Sequence, residues 1–287
     1  MAKICIDPGH FGKYNRSPGV PEYYESEMVW ELSQLEKKYL EALGHTVILT
    51  RTNPAKDMDL VARGKKSKGC DIFISNHSNA VGSGMNEKVN YASIYHLVDD
   101  KTTDADDKSV KFAEMIGPVV ANTMGISYKI LSKKSENDRN GDGTKNDNYY
   151  GVLHGARLVN TPGVIIEHGF HTNTKTVEWL LDHNNLEKLA KAEAEAISNY
   201  FGGVKVEEPK EDPKPIEPIS ESFKVRVVIK DLNIRSGPGK NYSRARSFIA
   251  PGVYTIVDVQ NGTGSVKGWG KLKSGAGWIS LDYVEYL

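Results

Sequence analysis

The chain has 287 residues, enough for one large domain or two smaller ones, and its 39% hydrophobic and 26% charged residues are typical of a soluble globular protein. No apolar run is long enough to cross a bilayer, so no membrane anchor is expected. The first residues lack the basic region and apolar core of a secretory signal, so we expect synthesis in the cytoplasm. Cys5 and Cys70 are too few for a disulfide framework and are expected to be buried thiols.

The net charge of zero hides an uneven distribution. Residues 1–203 contain 24 basic and 27 acidic side chains, whereas residues 223–287 contain ten basic and four acidic ones. A basic region of this kind indicates contact with an anionic partner. Solubility alone explains the excess equally well.

In residues 1–203, short apolar runs alternate with helical patterns. Strands are expected over KICID (3–7), TVILT (46–50), DIFIS (71–75), YASIYHL (91–97) and GVIIE (163–167). Helices are expected over residues 25–43, about 109–124 and 177–200, with Gly44 as the stop of the first helix. This alternation predicts an α/β domain with a mostly parallel sheet flanked by helices.

The segment 204–222 contains four of the twelve prolines and six acidic side chains, and it has too few apolar groups to fold. Such a composition is typical of a semi-rigid extended spacer. In residues 223–287, short strand-like runs such as VRVVI, GVYTIVDV and GWISLDYV are separated by glycine turns. This pattern predicts a small all-β barrel or sandwich.

Polar side chains follow three of the predicted strands. His10 comes after the first strand, His77 after DIFIS, and Glu167 closes GVIIE, while Glu25 begins the first helix. Ligands of open α/β sheets collect at the carboxyl ends of the strands. Two histidines and one carboxylate are typical zinc ligands that leave a position open for water, and a second carboxylate can move the proton.

Ordinary structural roles also account for each of these residues. His10 suits a solvent-facing loop, Glu25 suits a helix amino terminus, and His77 suits a hydrogen-bonded histidine beside polar neighbours. Glu167 is the hardest to explain in this way, because an unpaired charge at a buried strand end is costly. The spacing of the residues alone leaves both interpretations open.

Five blocks in the first domain resemble the zinc-dependent N-acetylmuramoyl-L-alanine amidase family, in the family's order: IDPGH (6–10), YESEM (24–28), LTR (49–51), ISNHSNA (74–80) and VIIEHGFHTN (164–173). The resemblance implies that His10, Glu25 and His77 bind one zinc ion per chain and that Glu167 is the catalytic base. It also implies hydrolysis of the amide between the lactyl group of N-acetylmuramic acid and L-alanine of the stem peptide.

Some positions depart from the family pattern. GHFG replaces GHGG, Asn76 and Ser78 flank His77 where isoleucine and alanine are frequent, and His168 stands where threonine or a small apolar residue is usual. Asn79 and His168 are further candidates for substrate contact. Orienting the neighbouring Glu167 is another role open to His168, although a surface or packing role suits it better.

The segment 135–150 contains D-x-N-x-D-G at residues 138–143, which matches the first part of a calcium loop. Tyr149 occupies the position of the bidentate glutamate, and no helical pair flanks the segment. We therefore expect a polar loop at the rim of the substrate groove rather than a calcium site.

The stretch LNIRSGPGKNYS (232–243), with GWGKL and GWISLDYVEYL after it, resembles the bacterial SH3-like domain. That resemblance implies docking on peptidoglycan or on an anionic wall polymer, with no nucleic acid partner. The candidate stacking or groove residues are Tyr242, Trp269, Trp278 and Tyr283, and barrel core is the alternative for each.

Together the two resemblances imply a modular peptidoglycan hydrolase similar to a bacteriophage or prophage endolysin, which is made in the host cytoplasm and acts at the cell wall after release. A bacterial autolysin exported by another route remains the biological alternative. A zinc peptidase that cuts within the stem peptide and a non-catalytic wall-adhesion protein with a decayed site are the chemical alternatives.

Overall fold

The computed structural model describes residues 1–98, 104–141, 143–203, 222–240, 242–262, 264–265 and 267–287. Contacts between Cα atoms divide the chain into two compact units, residues 1–206 and 207–287. The predicted spacer lies outside the described residues, except for Ser222.

The first unit contains one six-stranded sheet. Its strands are β1 (Lys3–Pro8), β2 (Thr46–Leu49), β3 (Ile72–Asn79), β4 (Tyr91–His96), β5 (Ser127–Leu131) and β6 (Gly163–Phe170). Their order in the sheet is β2-β1-β3-β6-β4-β5. Only the β4–β6 pair is antiparallel, which confirms the predicted mostly parallel sheet.

Six helices accompany this sheet: α1 (Glu25–Ala42), α2 (Leu60–Lys65), α3 (Ala105–Met124), α4 (Gly151–Leu158), α5 (Thr174–Leu181) and α6 (His183–Tyr200). The helical pattern predicted over residues 177–200 is confirmed, but it forms two helices rather than one. Asp182 has extended backbone angles (φ −81°, ψ 114°), and its carboxylate accepts a hydrogen bond from the Asn184 N–H, which ends α5 and caps α6. None of the helices among the described residues combines the length and apolar character that a bilayer crossing requires.

Alternation along the strands gives the sheet two apolar faces. Ile74 and Ile166 pack in the core formed with α1, α3 and α6, whereas Phe73 and Ile165 pack in a second core with α4. Cys5 and Cys70 are buried free thiols in this second core, as predicted. Side chains alternate between the two faces of a strand, so in the regularly paired parts of β3 and β6 the even-numbered residues face the first core and the odd-numbered ones face the second.

The second unit is a single seven-stranded antiparallel sheet with the order β13-β7-β10-β11-β12-β8-β9. Its strands are β7 (Phe223–Val227), β8 (Leu232–Arg235), β9 (Arg244–Ile249), β10 (Gly252–Gln260), β11 (Trp269–Leu272), β12 (Trp278–Ser280) and β13 (Val284–Tyr286). It has its own core, which includes Val225, Ile256 and Ile279. The all-β prediction is confirmed, although the sequence pattern did not predict β9.

The helices α2 and α4 approach each other through two glycines. A Cβ atom at Gly64 would lie 2.0 Å from the Val152 carbonyl oxygen, and one at Gly155 would lie 2.2 Å from the Val61 carbonyl oxygen. This contact holds the neighbouring Arg63, which is buried and donates a hydrogen bond to the carbonyl oxygen of His10. The helix pair therefore supports the backbone of a predicted site residue.

We expect Gly64→Ala to lower the free energy of unfolding by about 2 kcal/mol or more, because the added methyl group meets rigid backbone rather than a flexible side chain. Urea unfolding followed by circular dichroism measures this loss. Gly84→Ala is the control: a Cβ atom there meets nothing within 4 Å, so the change should stay within about 0.5 kcal/mol. Equal stabilities of the two variants would show that the helices do not approach as described.

Candidate metal centre and active site

Three strand ends bring the predicted site residues together. His10 follows β1, while His77 and Glu167 are register partners in the neighbouring strands β3 and β6. β1 is bonded to the other edge of β3, with Pro8 opposite Asn76. The carboxyl ends of these parallel strands thus meet at one edge of the sheet, as the sequence predicted.

Glu25 joins the two histidines from the amino terminus of α1. Its Oε2 lies 3.2 Å from Nε2 of His10, and its Oε1 lies 2.9 Å from Nδ1 of His77. One ligand atom from each of the three residues lies within 4.8 Å of the others. In the part of the chain that the structure describes, this is the only such group of histidine, cysteine and acidic side chains.

The Glu25 carboxylate is stabilised as an anion although it is buried. Ser78 N–H donates to its Oε1 at 3.0 Å, and the Asn15 amide donates to its Oε2 at 2.6 Å. Burial raises the pKa of this carboxyl group, but the hydrogen bonds and charges of His10 and His77 outweigh burial and hold the pKa well below its usual range. Its position at a helix amino terminus also favours the negative charge.

The donor set and the space around it fit a zinc ion. Two imidazole nitrogens and one carboxylate are borderline donors that suit zinc, and three protein ligands leave a position for water or substrate. Gly9 provides room for the His77 ring, because a Cβ atom there would lie 2.4 Å from Cε1 and 2.7 Å from Nε2 of that ring.

Two arginines fix the loop that carries His10. This residue has a left-handed backbone with φ 55°, which costs energy for a non-glycine residue. Arg51 donates to the Pro8 carbonyl oxygen at 2.6 Å, and Arg63 donates to the His10 carbonyl oxygen at 3.1 Å. Arg51 belongs to the LTR block, whereas Arg63 carried no signal in the sequence.

Glu167 is half-buried and has a poorly solvated carboxyl group. Its Oε2 atom is inaccessible and has no hydrogen-bond partner among the described residues. Burial, and next the negative charge of Glu25, raise the pKa of Glu167 well above its usual range. A carboxyl group of this kind suits proton transfer, and a divalent cation nearby would counteract part of the shift.

Comparison with known proteins identifies the family. A model of the N-acetylmuramoyl-L-alanine amidase family matches residues 4–199, which is more than half of the chain and includes all four site residues. The chain belongs to the N-acetylmuramoyl-L-alanine amidase family. Membership supports amidase activity on peptidoglycan.

Solved structures of amidases share the fold. The catalytic domain of CwlV from Bacillus (Paenibacillus) polymyxa var. colistinus is 21% identical with a TM-score of 0.55, and the match covers 71% of this chain and all of that one. AmiC2 of Nostoc punctiforme is 22% identical with a TM-score of 0.52, and the match covers 70% of this chain and 97% of that one. No curated protein sequence matched the chain.

Another histidine of the amidase unit lies beside the centre but was not predicted. His171 is buried, and its Nδ1 lies 3.0 Å from the Ser78 carbonyl oxygen and 3.9 Å from Oε2 of Glu25. Tyr23 donates to the Ser78 hydroxyl at 2.8 Å, so Ser78 is held on both sides. Ser78 and His171 belong to two different sequence blocks of the family, and their contact becomes visible only in the folded chain.

The remaining candidates in the amidase unit lie in different places. Asn79 ends β3 at the same sheet edge as His77, whereas His168 is fully buried and does not line this edge.

In the segment 135–150, both carboxylate oxygens of Asp138 accept hydrogen bonds from backbone N–H groups, those of Gly141 and Gly143. Asp142, the third predicted position of the calcium pattern, lies outside the described residues.

In the second unit, the four candidate aromatic residues differ in exposure. Trp269 and Trp278 are 3% and 7% exposed, whereas Tyr242 and Tyr283 are 43% and 44% exposed. Trp269 and Tyr283 line one cleft of about 240 Å³, together with Asp231, Arg235 and Lys240. The aromatic candidates therefore divide between core and surface.

We expect Gly9→Ala to weaken binding of a divalent cation by about tenfold or more, because the new methyl group displaces the His77 ring from Glu25. Calorimetric titration of metal-free protein with zinc measures the change, and Gly84→Ala is again the matched control. Unchanged affinity in Gly9→Ala would contradict the placement of His77 at the centre.

Proposed function

We propose that the chain is a zinc-dependent hydrolase of the amide between the lactyl group of N-acetylmuramic acid and L-alanine. The observation that carries this proposal is the convergence of His10, Glu25 and His77, with Glu167 in the register-paired strand. Family membership supports the substrate class and the bond, and the donor set supports the metal.

His10, Glu25 and His77 would hold the ion, with the charge of the Glu25 carboxylate balancing part of the metal charge. When bound, zinc supplies Lewis acidity: it lowers the pKa of water to about 7 and polarises a carbonyl group. The hydrogen bonds from Ser78 and Asn15 orient the Glu25 carboxylate between the two histidines.

Glu167 would act as general base and then as general acid. Its carboxylate takes a proton from the attacking water and passes that proton to the departing amine of alanine, which is a poor leaving group unless protonated. The half-buried carboxyl group in register with the proposed ligand His77 supports this role, because it places a second carboxylate beside the centre.

Substitutions separate binding from chemistry. We expect Glu167→Gln to keep one zinc per chain and lower kcat by roughly 10²–10⁴-fold, the usual contribution of general acid–base catalysis. His10→Ala and His77→Ala should lose zinc and turnover together, because each removes a ligand. Elemental analysis and release of muropeptides from purified wall give the two readings for each variant.

A Glu167→Gln variant with normal turnover would refute the base, and metal-free protein that cleaves at the normal rate would refute the zinc mechanism. Retained wall binding without lysis in Glu167→Gln would exclude a purely adhesive protein. Mass spectrometry of the digested wall identifies the bond: an amidase frees the alanine amine and leaves the glycan intact, whereas a stem-peptide zinc peptidase frees other amines.

We further propose that residues 223–287 form an SH3-like unit that binds the cell wall. A separate compact unit with its own core supports a separate function. This unit has ten basic and only four acidic side chains, which supports contact with peptidoglycan or an anionic wall polymer. The cleft lined by Trp269 and Tyr283 supplies aromatic and charged groups in one place.

Removal of residues 204–287 should weaken association with wall by roughly tenfold or more, because the second binding module is lost. Hydrolysis of small soluble muropeptides should be unchanged, since the site lies in the first unit. Pelleting with purified wall and chromatography of soluble products measure the two effects. Equal losses on both substrates would contradict separate roles for the units.

The two-unit plan suits the biological role that we propose, a phage or prophage endolysin made in the host cytoplasm that acts on the wall after release. A bacterial autolysin is the alternative. Genomic context decides between them: a coding sequence among lysis genes supports the endolysin, and one among chromosomal wall genes supports the autolysin.

A further inference from the structure

Behind the metal centre, on the other face of the sheet, lies a buried polar cluster that the chemistry does not use. Asn76 and His168 immediately neighbour His77 and Glu167, and alternation turns them toward α1 and α6. Asn76 donates to a carboxylate oxygen of Glu36 and to the Ser33 hydroxyl, and His168 Nε2 lies 3.1 Å from Oε1 of Glu193. The five members of this cluster show no exposed surface: Ser33, Glu36, Asn76, His168 and Glu193.

The cluster is poorly explained by stability alone. Oδ1 of Asn76 is buried without a hydrogen-bond partner among the described residues, and the two buried carboxyl groups of Glu36 and Glu193 interact with each other: burial, and next the charge of Glu193, raise the pKa of Glu36 well above its usual range. Each unsatisfied polar atom costs about 1–3 kcal/mol, and apolar side chains of similar volume are often more stable than such groups. A role in geometry accounts for the cluster better than a role in holding the core together.

The ring orientation of His168 is determined by its second contact. Its Nδ1 lies 3.0 Å from the carbonyl oxygen of His77. A carbonyl oxygen only accepts hydrogen bonds, so Nδ1 carries the hydrogen and donates it. His168 therefore connects Glu193 of α6 on one side to the backbone of His77 on the other.

This hydrogen bond lies where the strand pairing becomes irregular. His77 pairs with Glu167, but Asn79 pairs with Phe170, so β6 contains one extra residue between these pairs. Gly169, with φ 72°, lies in this bulge. Backbone pairing is disrupted at such a point, and here the His168 side chain bridges the two strands through its contact with the His77 carbonyl oxygen.

We propose that His168 is a positioning residue that fixes the His77 backbone relative to Glu167, with Glu193 holding its ring from behind. This inference rests on the proposed function, because it assigns His77 to the metal and Glu167 to the proton. The hydrogen bond to the His77 carbonyl sets where the ligand ring stands, so its loss should affect metal affinity and kcat more than KM.

Two substitutions of His168 separate its two contacts, because each retains a nitrogen near only one of the ring positions, Nδ1 or Nε2. In His168→Asn the amide nitrogen occupies about the position of Nδ1, so it can donate to His77 but cannot reach Glu193. In His168→Gln the amide reaches about the position of Nε2, so it contacts Glu193 but leaves the His77 carbonyl. Ile197→Val, one turn along α6 from Glu193, is the control: it removes a buried methyl group from the same core and has no polar contact with His168 or His77.

Zinc affinity by competition with a coloured chelator, kcat and KM on a soluble muropeptide, and urea unfolding are measured for each variant. We expect His168→Gln to lose roughly 10–100-fold in zinc affinity and in kcat with little change in KM, and His168→Asn to retain most of both. Ile197→Val should change stability alone. Losses that are equal in the two His168 variants, or that follow unfolding stability across all three, would overturn the inference.

Wild-type protein that binds no zinc would refute the proposed function, and this inference with it. Zinc-binding, active wild type beside an unaffected His168→Gln would overturn only the inference. If the variants do not fold, nitrogen NMR of the wild-type histidines still tests the hydrogen bond from His168 to His77. A proton on Nδ1 of His168 that is protected from exchange supports this bond, and an unprotonated Nδ1 overturns it.

Discussion

The structure of the amidase unit depends on one buried negative charge. The Glu25 carboxylate is removed from water at the start of α1, where an uncompensated ion would cost several kcal/mol. His10, His77, Asn15 and the Ser78 N–H surround it, and the chain must bring β1, β3 and α1 together to supply them. A metal ion in this position would replace hydrogen bonds between ligands by shared coordination, so the same constraint serves folding and function.

The surrounding backbone is arranged to satisfy that constraint. His10 adopts a left-handed conformation, Gly9 makes room for the His77 ring, and Arg51 and Arg63 hold the carbonyl groups of the connecting loop. On the far face, His168 donates to the backbone of His77 at the bulge in β6. The centre is thus supported from the loop side by two arginines and from the sheet side by one histidine. Such support is typical of sites whose geometry must be exact to a few tenths of an ångström.

The sequence predicted five of the six strands of this sheet, all but β5, because their signals are local. His10, His77 and Glu167 were candidates because they follow strands, whereas their roles and that of Glu25 came from the family resemblance. An apolar run that ends in a histidine or a glutamate marks a strand end, and parallel strand ends meet at one edge of the sheet. β3 and β6 are longer than predicted, since polar residues such as Asn76 and His77 continue the pairing where the apolar pattern stops. The break between α5 and α6 was missed because Asp182 lies within an otherwise helical pattern.

The contacts that position the site are long-range and leave no local signal. Arg63 and His10 are 53 residues apart, and His168 and Glu193 are 25 residues apart, so neither pair belongs to one element or one motif. The family resemblance marked His168 as a departure with a role beside Glu167 left open, but it gave no sign of the contact with His77. Its partner on α6 is a glutamate in a helix rich in charged residues, which the sequence alone does not distinguish from a solvent-facing one.

X-ray absorption at the zinc edge tests the central claim most directly, because it reports the atoms around the ion. For the full chain loaded with one equivalent of zinc, the account predicts imidazole scattering from two histidines and nitrogen or oxygen neighbours at about 2.0–2.2 Å. A sulfur shell at about 2.3 Å, or a spectrum without histidine scattering, would place the ion elsewhere in the chain and contradict the account.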